Sequence, residues 1–130
     1  MGKWNVDATS VPGILRLTLE GRLTLEEMTA FVDSHNRAID GYGDRDYKVW
    51  CDLSKMSTLS QECVGMFEKA KQYSNAHRNF RGSAVLVASA VVAQQHRRTS
   101  FDSGVLSTEL ISQDLKVLQD HLRTVYRRSE

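Results

Sequence analysis

The sequence predicts an α/β fold, with a mixed, mostly parallel sheet and an N-terminal β-hairpin in the order β-β-α-β-α-β-α-β-α. After two opening strands, strand and helix patterns alternate, which favours parallel pairing through right-handed crossovers. Residues Gly82–Ser89 form a continuous apolar run, typical of a strand covered on both faces. The chain has 130 residues, of which 41% are hydrophobic and 25% charged, with no linker or break in composition. We therefore expect a single domain over residues 1–130.

The two opening strands are indicated by an alternation of apolar and polar residues. Lys3–Ala8 alternates around Trp4 and Val6, and Ile14–Glu20 has a leucine at every second position on one face. Val11–Gly13 lies between them and favours a turn, because proline fixes φ and glycine accepts a positive φ. An antiparallel hairpin with one buried face is therefore predicted.

The first helix has signals at both ends. Thr24 and Glu27 have the spacing of a capping box, in which each side chain accepts a hydrogen bond from the backbone amide of the other residue. The segment Gly41–Gly43 ends the helix, because glycine adopts a left-handed conformation at little cost. Tyr47–Leu53, rich in aromatic and β-branched residues, is predicted to be the third strand. The apolar helix face consists of Met28, Phe31, Val32, His35 and Ile39.

The second helix follows a polar stretch, Ser54–Ser60, and is predicted to extend to about Asn79. Thr58 with Gln61 makes the better capping box, and Ser60 is the alternative cap. The second helix is therefore predicted to begin just after Thr58 or just after Ser60.

The last elements are predicted from shorter patterns. Residues 90–102 are expected to be helical and Leu106–Ile111 to form a short strand. Ser112 is expected to cap a final helix. Its apolar face consists of Leu115, Leu118, Leu122 and Val125.

Composition and spacing exclude several classes of protein. With 17 Lys+Arg against 16 Asp+Glu, the net charge of +1 argues against a nucleic-acid binder that depends on phosphate contacts. The longest apolar run is far shorter than the ~20 residues of a membrane-spanning helix, and the opening residues lack a secretory signal. Cys51 and Cys63 lack the spacing of a zinc or redox motif, and Cys51 is expected to be a buried free thiol. We expect a cytoplasmic protein with no membrane span.

The sequence has no pattern of catalytic or metal-binding residues. His35, His77, His96 and His121 all lie on predicted helices, and no two of them have metal-ligand spacing. His35 is expected in the core and His121 at the surface. Gly41–Gly43 lacks the residues of a phosphate loop, and no nucleophile elbow occurs. We therefore expect no catalytic residue, metal or cofactor, and no enzymatic activity.

Two basic clusters flank the apolar strand. One lies at residues 77–81, before the strand, and the other consists of His96, Arg97 and Arg98, after it. Because ligands of parallel α/β sheets collect beyond the carboxyl ends of strands, the second cluster is the better candidate for binding an anion. The alternative is that it forms a solvated helix face.

The segment Asp52–Phe67 joins the end of the third strand to the second helix and is rich in hydroxyl groups. Phosphate groups are stabilised near a helix N-terminus by free amides and by the helix dipole. Ser57, Thr58 and Ser60 are therefore candidates for phosphorylation. The alternative is that they only cap the helix and form its preceding turn.

Two motifs in this order of elements resemble the STAS domain family, typified by bacterial anti-sigma-factor antagonists. Leu19–Thr24 (Leu-Glu-Gly-Arg-Leu-Thr) leads into the first helix, and Asp52–Ser54 (Asp-Leu-Ser) ends the third strand. In the family, an Asp-Ser pair and a glycine follow, and a partner kinase phosphorylates that serine. An alignment without gaps places Ser60, Gln61 and Cys63 at those three positions. The resemblance thus implies a domain without the usual phospho-acceptor serine.

The chain is most similar to a divergent bacterial branch of STAS-like proteins, related in fold to CRAL-TRIO lipid-binding domains. Its length and the pattern Leu-x-Gly-x-Leu-Thr-x-Glu at Leu19–Glu26 carry this resemblance. It implies a non-enzymatic module that binds a protein in a bacterial signalling pathway. The alternative is a small-molecule or lipid-binding domain, with an apolar pocket beneath the second and third helices and a basic residue, Arg97 or Arg98, at an anionic head group.

The surface expected to bind the partner is the loop before the second helix together with the first two turns of that helix. It consists of Met56, Ser57, Thr58, Ser60, Gln61, Glu62, Met66 and Lys69. An exposed Met56 or Met66 is expected to supply an adaptable apolar contact. The expected partner is a regulatory protein of the kinase or sigma-regulator type, and a homodimer is left open.

Overall fold

The computed structural model describes residues 2–103 and 108–127. Its strands are β1 (Lys3–Asp7), β2 (Ile14–Gly21), β3 (Tyr47–Met56), β4 (Phe80–Val87) and β5 (Glu109–Ser112). Its helices are α1 (Leu25–Tyr42), α2 (Gln61–Ala76), α3 (Ala90–Ser103) and α4 (Leu115–Thr124). The predicted order of elements is confirmed.

The strands form one mixed sheet in the order β1-β2-β3-β4-β5. β1 and β2 are antiparallel, and the other three pairs are parallel, so the predicted fold class is confirmed. Because each strand lies beside the previous one, right-handed crossovers bring α1, α2 and α3 to one face, where α2 packs between α1 and α3. α4 packs on β4 and β5 from the other face. The carboxyl ends of β2, β3 and β4 therefore lie at one edge, beside the starts of α1, α2 and α3.

The main core lies between the sheet and the three helices. The strand register places Leu17, Cys51, Val85 and Ile111 side by side on four neighbouring strands. All four are buried. Every residue of β4 except Leu86 is buried, as its continuous apolar run predicts.

Both ends of α1 are as predicted. Glu27 N donates to Thr24 Oγ1 at 3.1 Å, and Thr24 N donates to Glu27 Oε1 at 2.8 Å, which confirms the capping box. Gly43 follows the helix with φ of 59°, in the left-handed region that favours glycine.

The cap of α2 is the alternative that the sequence left open, and the cap of α4 differs from the prediction. Ser60, and not Thr58, caps α2, because β3 runs on to Met56 and the helix begins only after the remaining loop residues. Asp114, and not Ser112, caps α4, because its carboxylate accepts hydrogen bonds from two amides of the first turn. The Ser112 hydroxyl instead accepts from Asp114 N.

Several predicted boundaries move by a few residues. β3 extends three residues beyond Leu53, because its register with β2 continues to the pair Gly21 and Met56. α2 ends at Ala76 and not near Asn79. The first residues of the predicted fifth strand, 106 and 107, lie outside the described residues.

The segment Val125–Arg127, here called the α4 strap, crosses the start of β4. Arg127 N donates to Arg81 O at 2.9 Å. The Arg127 guanidinium donates to the backbone oxygens of Phe80, Asn75 and His77 at 2.9–3.1 Å. One side chain thus ties the strap to β4 and to the end of α2.

The first basic cluster, at residues 77–81, takes part in the contacts around the α4 strap. Arg81 is 5% exposed, and its guanidinium lies 3.0 Å from a carboxylate oxygen of Asp46 and 5.0 Å from the Tyr126 ring centre. His121, expected at the surface, is half-buried, with Nε2 3.0 Å from Ser83 O. Polar contacts of His121 thus add to the apolar packing of Leu118, which is 0% exposed, in holding α4 to the sheet. Within the described ranges, every helix is too short or too polar to cross a membrane.

Candidate functional site

The predicted partner surface lies at the carboxyl edge of the sheet. β3 ends at Met56, and residues 57–60 lead to α2. The backbone N and hydroxyl of Ser57 both donate to Gly21 O, at 3.1 and 3.2 Å. This pair of bonds fixes the start of the loop against the end of β2 and leaves Thr58 exposed.

The same loop is tied to α3 by the side chain of Gln95. Leu59 N donates to Gln95 Oε1 at 2.9 Å, and Gln95 Nε2 donates to Leu59 O at 3.0 Å. The Leu59 side chain is 7% exposed and belongs to the core. Because both backbone groups of Leu59 are satisfied by one side chain, the loop and α3 form a continuous surface; we call this contact the Gln95 clamp.

A groove with a volume of about 800 Å³ runs beside the clamp. Val91 is 64% exposed, the highest value among the large apolar side chains of the described residues. No atom lies within 4 Å of the position that a Cβ at Gly65 would occupy, so the groove is open beside this glycine. We call this the α2–α3 groove; its walls include Val64, Gly65 and Glu68 of α2 and Val91, Gln94 and Arg98 of α3.

The structure places most of the predicted residues at the surface but not the two methionines. Met56 is 5% exposed, so its predicted exposure is wrong; as the last residue of β3 it packs into the core. Met66 is half-buried and packs against the same core. Ser60 is half-buried as the cap of α2. The exposed members are Ser57, Thr58, Gln61, Glu62 and Lys69.

On the α3 side of the groove, Arg98 was predicted from the sequence as a candidate for anion binding, but Val91 and Gln95 were not predicted. Val92, Ala93 and His96 are buried and define the inner face of α3. Val91 falls outside that face, and this spacing is the signal that could have identified an exposed apolar residue. Gln95 carries no such signal, because its role depends on the position of the loop.

The side chains of the second basic cluster, His96, Arg97 and Arg98, do not form one anion-binding site. His96 is 0% exposed, so its predicted contact with an anion in solvent is wrong. Arg97 Nη2 donates to Ile111 O at 3.5 Å. Arg98 is exposed at the rim of the α2–α3 groove. Arg97 is also exposed but lines a separate cleft between α3 and the start of α4, so the two arginines face different sites.

A buried ion pair lies beneath α2 and α3. Lys71 Nζ is 3.1 Å from Glu109 Oε1, with the two side chains 7% and 4% exposed. Lys71 Nζ also donates to His96 O at 3.2 Å, and Ser83 Oγ donates to Glu109 Oε2 at 3.3 Å. This network joins α2, α3, β4 and β5.

The cavity beside this ion pair has a volume of about 30 Å³ and is otherwise lined mainly by apolar side chains, including Phe31 and Phe67. That is room for about one water molecule. A lipid chain does not fit this cavity, so the alternative of lipid binding finds no preformed pocket here.

The buried histidines make stability depend on pH. Burial, together with the Lys71 ammonium, lowers the pKa of His96 to about 3, and burial also lowers the pKa of His35. In the unfolded chain, histidine titrates near 6.5. Because the unfolded state binds the proton more tightly, the stabilisation is complete above pH 6.5 and is lost as the pH falls from there towards 3.

We therefore expect the titration of His96 to lower the free energy of unfolding by about 1.4 kcal/mol per pH unit between pH 6 and 4. Urea titrations across this range measure the slope. His96→Leu should remove this contribution and so make the slope shallower, whereas an unchanged slope would contradict the assignment.

Both cysteines and His35 are packed in the core. Cys51 and Cys63 are free and buried, and burial raises the pKa of the Cys51 thiol, which keeps it protonated and unreactive. His35 is 3% exposed, with Nδ1 2.8 Å from Asn36 Oδ1, as predicted for a core residue. Across residues 2–103 and 108–127, no group of three His, Cys, Asp or Glu side chains could hold a metal ion.

The comparisons with known proteins match the fold. No protein-family model and no curated protein matches the chain significantly. An uncharacterised protein of the DUF3478 family from Shewanella loihica, with a SpoIIAA-like fold, is 15% identical over 93% of each chain, with a TM-score of 0.64. An anti-sigma factor antagonist from Mycobacterium paratuberculosis is 13% identical over 95% of each chain, with a TM-score of 0.60.

A third solved structure is the anti-sigma factor antagonist SpoIIAA in its unphosphorylated form. It is 13% identical, with a TM-score of 0.63, over 96% of this chain and 100% of its own. Likeness at these identities concerns the backbone arrangement. The chain therefore has the STAS-like fold of the anti-sigma factor antagonists, as its sequence motifs predicted.

Proposed function

We propose that this chain is a single-domain, non-enzymatic STAS-like module that binds a regulatory protein through the α2–α3 groove and the adjoining loop. The Gln95 clamp is the observation that carries the proposal. It joins the loop after β3 to α3, so two segments far apart in sequence present one continuous surface. The likeness in fold to anti-sigma factor antagonists, which by name act on another regulator, supports this class of partner.

The chemistry of the groove favours a protein segment as its occupant. Val91 and Val64 provide apolar contact, while Glu68 and Arg98 place opposite charges at the walls. An amphipathic helix binds a groove of this kind by inserting one apolar side chain and pairing its polar residues with the rim. We therefore expect an apolar anchor of the partner to lie against Val91.

We also propose that this surface works without the usual phospho-acceptor. Gln61 is the first residue of α2 and occupies the aligned position of the family's phosphorylated serine. The Ser60 hydroxyl accepts from Cys63 N, and the Ser57 hydroxyl donates to Gly21 O. A kinase acting on this loop would therefore meet Thr58 as an exposed hydroxyl that neither caps the helix nor binds Gly21 O.

Val91→Glu is expected to reduce capture of the partner at least tenfold, because it places a charge where an apolar side chain of the partner must be desolvated. The measurement is affinity capture from native cells followed by quantitative mass spectrometry. Val117→Glu is the matched control, because Val117 is 45% exposed on α4, on the other face of the sheet.

Both variants should keep the unfolding midpoint of the wild type, because both positions are exposed. Enrichment of a kinase or sigma-regulator type protein on wild type and Val117→Glu, with loss on Val91→Glu, supports the proposal. Equal capture of that protein by Val91→Glu and wild type would exclude the α2–α3 groove as its binding site.

A further inference from the structure

β1 is an end strand of the sheet. It pairs with β2 and, among the described residues, with no other strand. Its outer edge therefore presents backbone N–H and C=O groups that a further strand could pair with. Lys3 and Asn5 are exposed, and Trp4 and Val6 are half-buried.

The side chains of β1 are complementary to those of a second copy of the same strand. The sequence Lys-Trp-Asn-Val-Asp has opposite charges at its two ends and asparagine at its centre. In an antiparallel pair centred on Asn5, Lys3 of each copy faces Asp7 of the other, and Trp4 faces Val6. Opposite charges placed directly across antiparallel strands are stabilising, whereas like charges are destabilising.

We infer that the chain forms a two-fold symmetric homodimer by antiparallel pairing of β1 with β1 of a second copy. The symmetry makes every contact occur twice, so the pairing gives two ion pairs and two apolar pairs. Lysine on an edge strand normally discourages association. Here the charge instead selects the partner, because an identical strand in this register supplies the matching carboxylate.

The carboxylate of Asp7 is held ready for this contact. The amides of Thr9 and Ser10 both donate to its Oδ1 at 3.0 Å, which fixes its position. Hydrogen bonds from Ser10 and Thr9 lower the pKa of Asp7 to about 2, so it stays charged at neutral pH. A carboxylate has capacity for further donors, and an ammonium group can approach it.

The opposite edge of the sheet lacks this complementarity. β5 reads Glu-Leu-Ile-Ser, and antiparallel pairing of two copies would place Glu109 opposite Ser112. That pairing gains no ion pair. Pairing of β1 in parallel would place Lys3 opposite Lys3, which is destabilising. Of these arrangements, the antiparallel β1 pair is favoured.

Because each copy contributes only five residues, the interface is smaller than that of a stable obligate dimer. We expect a reversible dimer that sedimentation equilibrium detects between micromolar and millimolar concentration. Lys3→Glu should raise the dissociation constant at least tenfold, because it replaces two attractions with two repulsions. Lys116→Glu makes the same change of charge at an exposed position of α4 and should leave the constant unchanged.

A charge exchange tests the register. Asp7→Lys should also abolish self-association, but an equal mixture of Lys3→Glu and Asp7→Lys should form a heterodimer, because both ion pairs are restored. A wild type that stays monomeric to about 1 mM, or a Lys3→Glu variant that dimerises as the wild type does, would overturn the inference.

Asn5→Cys provides an independent test that keeps both charges. The two sulfurs lie across the symmetry axis, so mild oxidation should give a disulfide-linked dimer. Lys116→Cys is the control, and the native thiols Cys51 and Cys63 are buried and should not compete. Equal rates of cross-linking at positions 5 and 116 would also overturn the inference.

Discussion

Glu109→Ala is expected to lower the free energy of unfolding by about 3–5 kcal/mol, because it leaves a buried ammonium group without its carboxylate. Lys71 is 7% exposed and its Nζ also donates to His96 O, so the ammonium stays in the protein interior when the carboxylate is removed. The hydroxyl of Ser83 also loses its acceptor. Urea unfolding at pH 7.5, followed by circular dichroism, measures the loss.

The double variant Lys71→Met with Glu109→Leu separates the charge from the packing. Replacing both members of a buried ion pair with apolar residues of similar size is often neutral or stabilising. We expect the double variant to unfold within about 1 kcal/mol of the wild type. If it is as unstable as Glu109→Ala, the loss comes from the packing of β5 and not from an unpaired charge.

Gly82→Ala is expected to destabilise the fold by about 2–4 kcal/mol, from backbone strain and overpacking together. The φ of Gly82 is +146°, which side-chain-bearing residues rarely adopt, and a Cβ there would lie 2.6 Å from both methyl groups of Val125. Movement of the α4 strap away from β4 would break hydrogen bonds, because the Arg127 guanidinium at the end of the strap donates to three backbone oxygens. Thermal and urea unfolding measure the effect.

Val125→Ala is the companion change that removes the overlapping methyl groups. In that background, Gly82→Ala should cost about 1–2 kcal/mol less, because the overlap with the two methyl groups is gone and what remains is the backbone strain and a 3.1 Å contact with the Cβ of residue 125. A cost that is equal in both backgrounds would show that the strap does not press on β4 at this point.

The fold was predictable because its signals are local. The leucine alternation of β2, the capping box at Thr24 and the apolar run of β4 each specify an element from adjacent residues. The caps were harder to predict, because several polar residues precede each helix. For α2 the sequence left Thr58 and Ser60 open, and for α4 it predicted Ser112 where Asp114 is the cap. The choice among them depends on where the preceding strand stops.

The candidate site was predictable only in part, because its two walls come from distant segments. The loop and the start of α2 could be identified from the motif at Asp52–Ser54 and from their hydroxyl groups. Val91 and Gln95 lie some 30 residues further along the chain, and the register of the sheet brings them to the loop. The Lys71–Glu109 ion pair likewise joins residues 38 positions apart.

Site-specific photo-crosslinking in native cells tests the partner surface most directly. A benzophenone amino acid at position 91 lies in the α2–α3 groove, and the same group at position 117 lies on the exposed side of α4. We expect one regulatory protein to be cross-linked at position 91 and not at position 117. Cross-linking of that protein at position 117 alone would contradict the proposed binding surface.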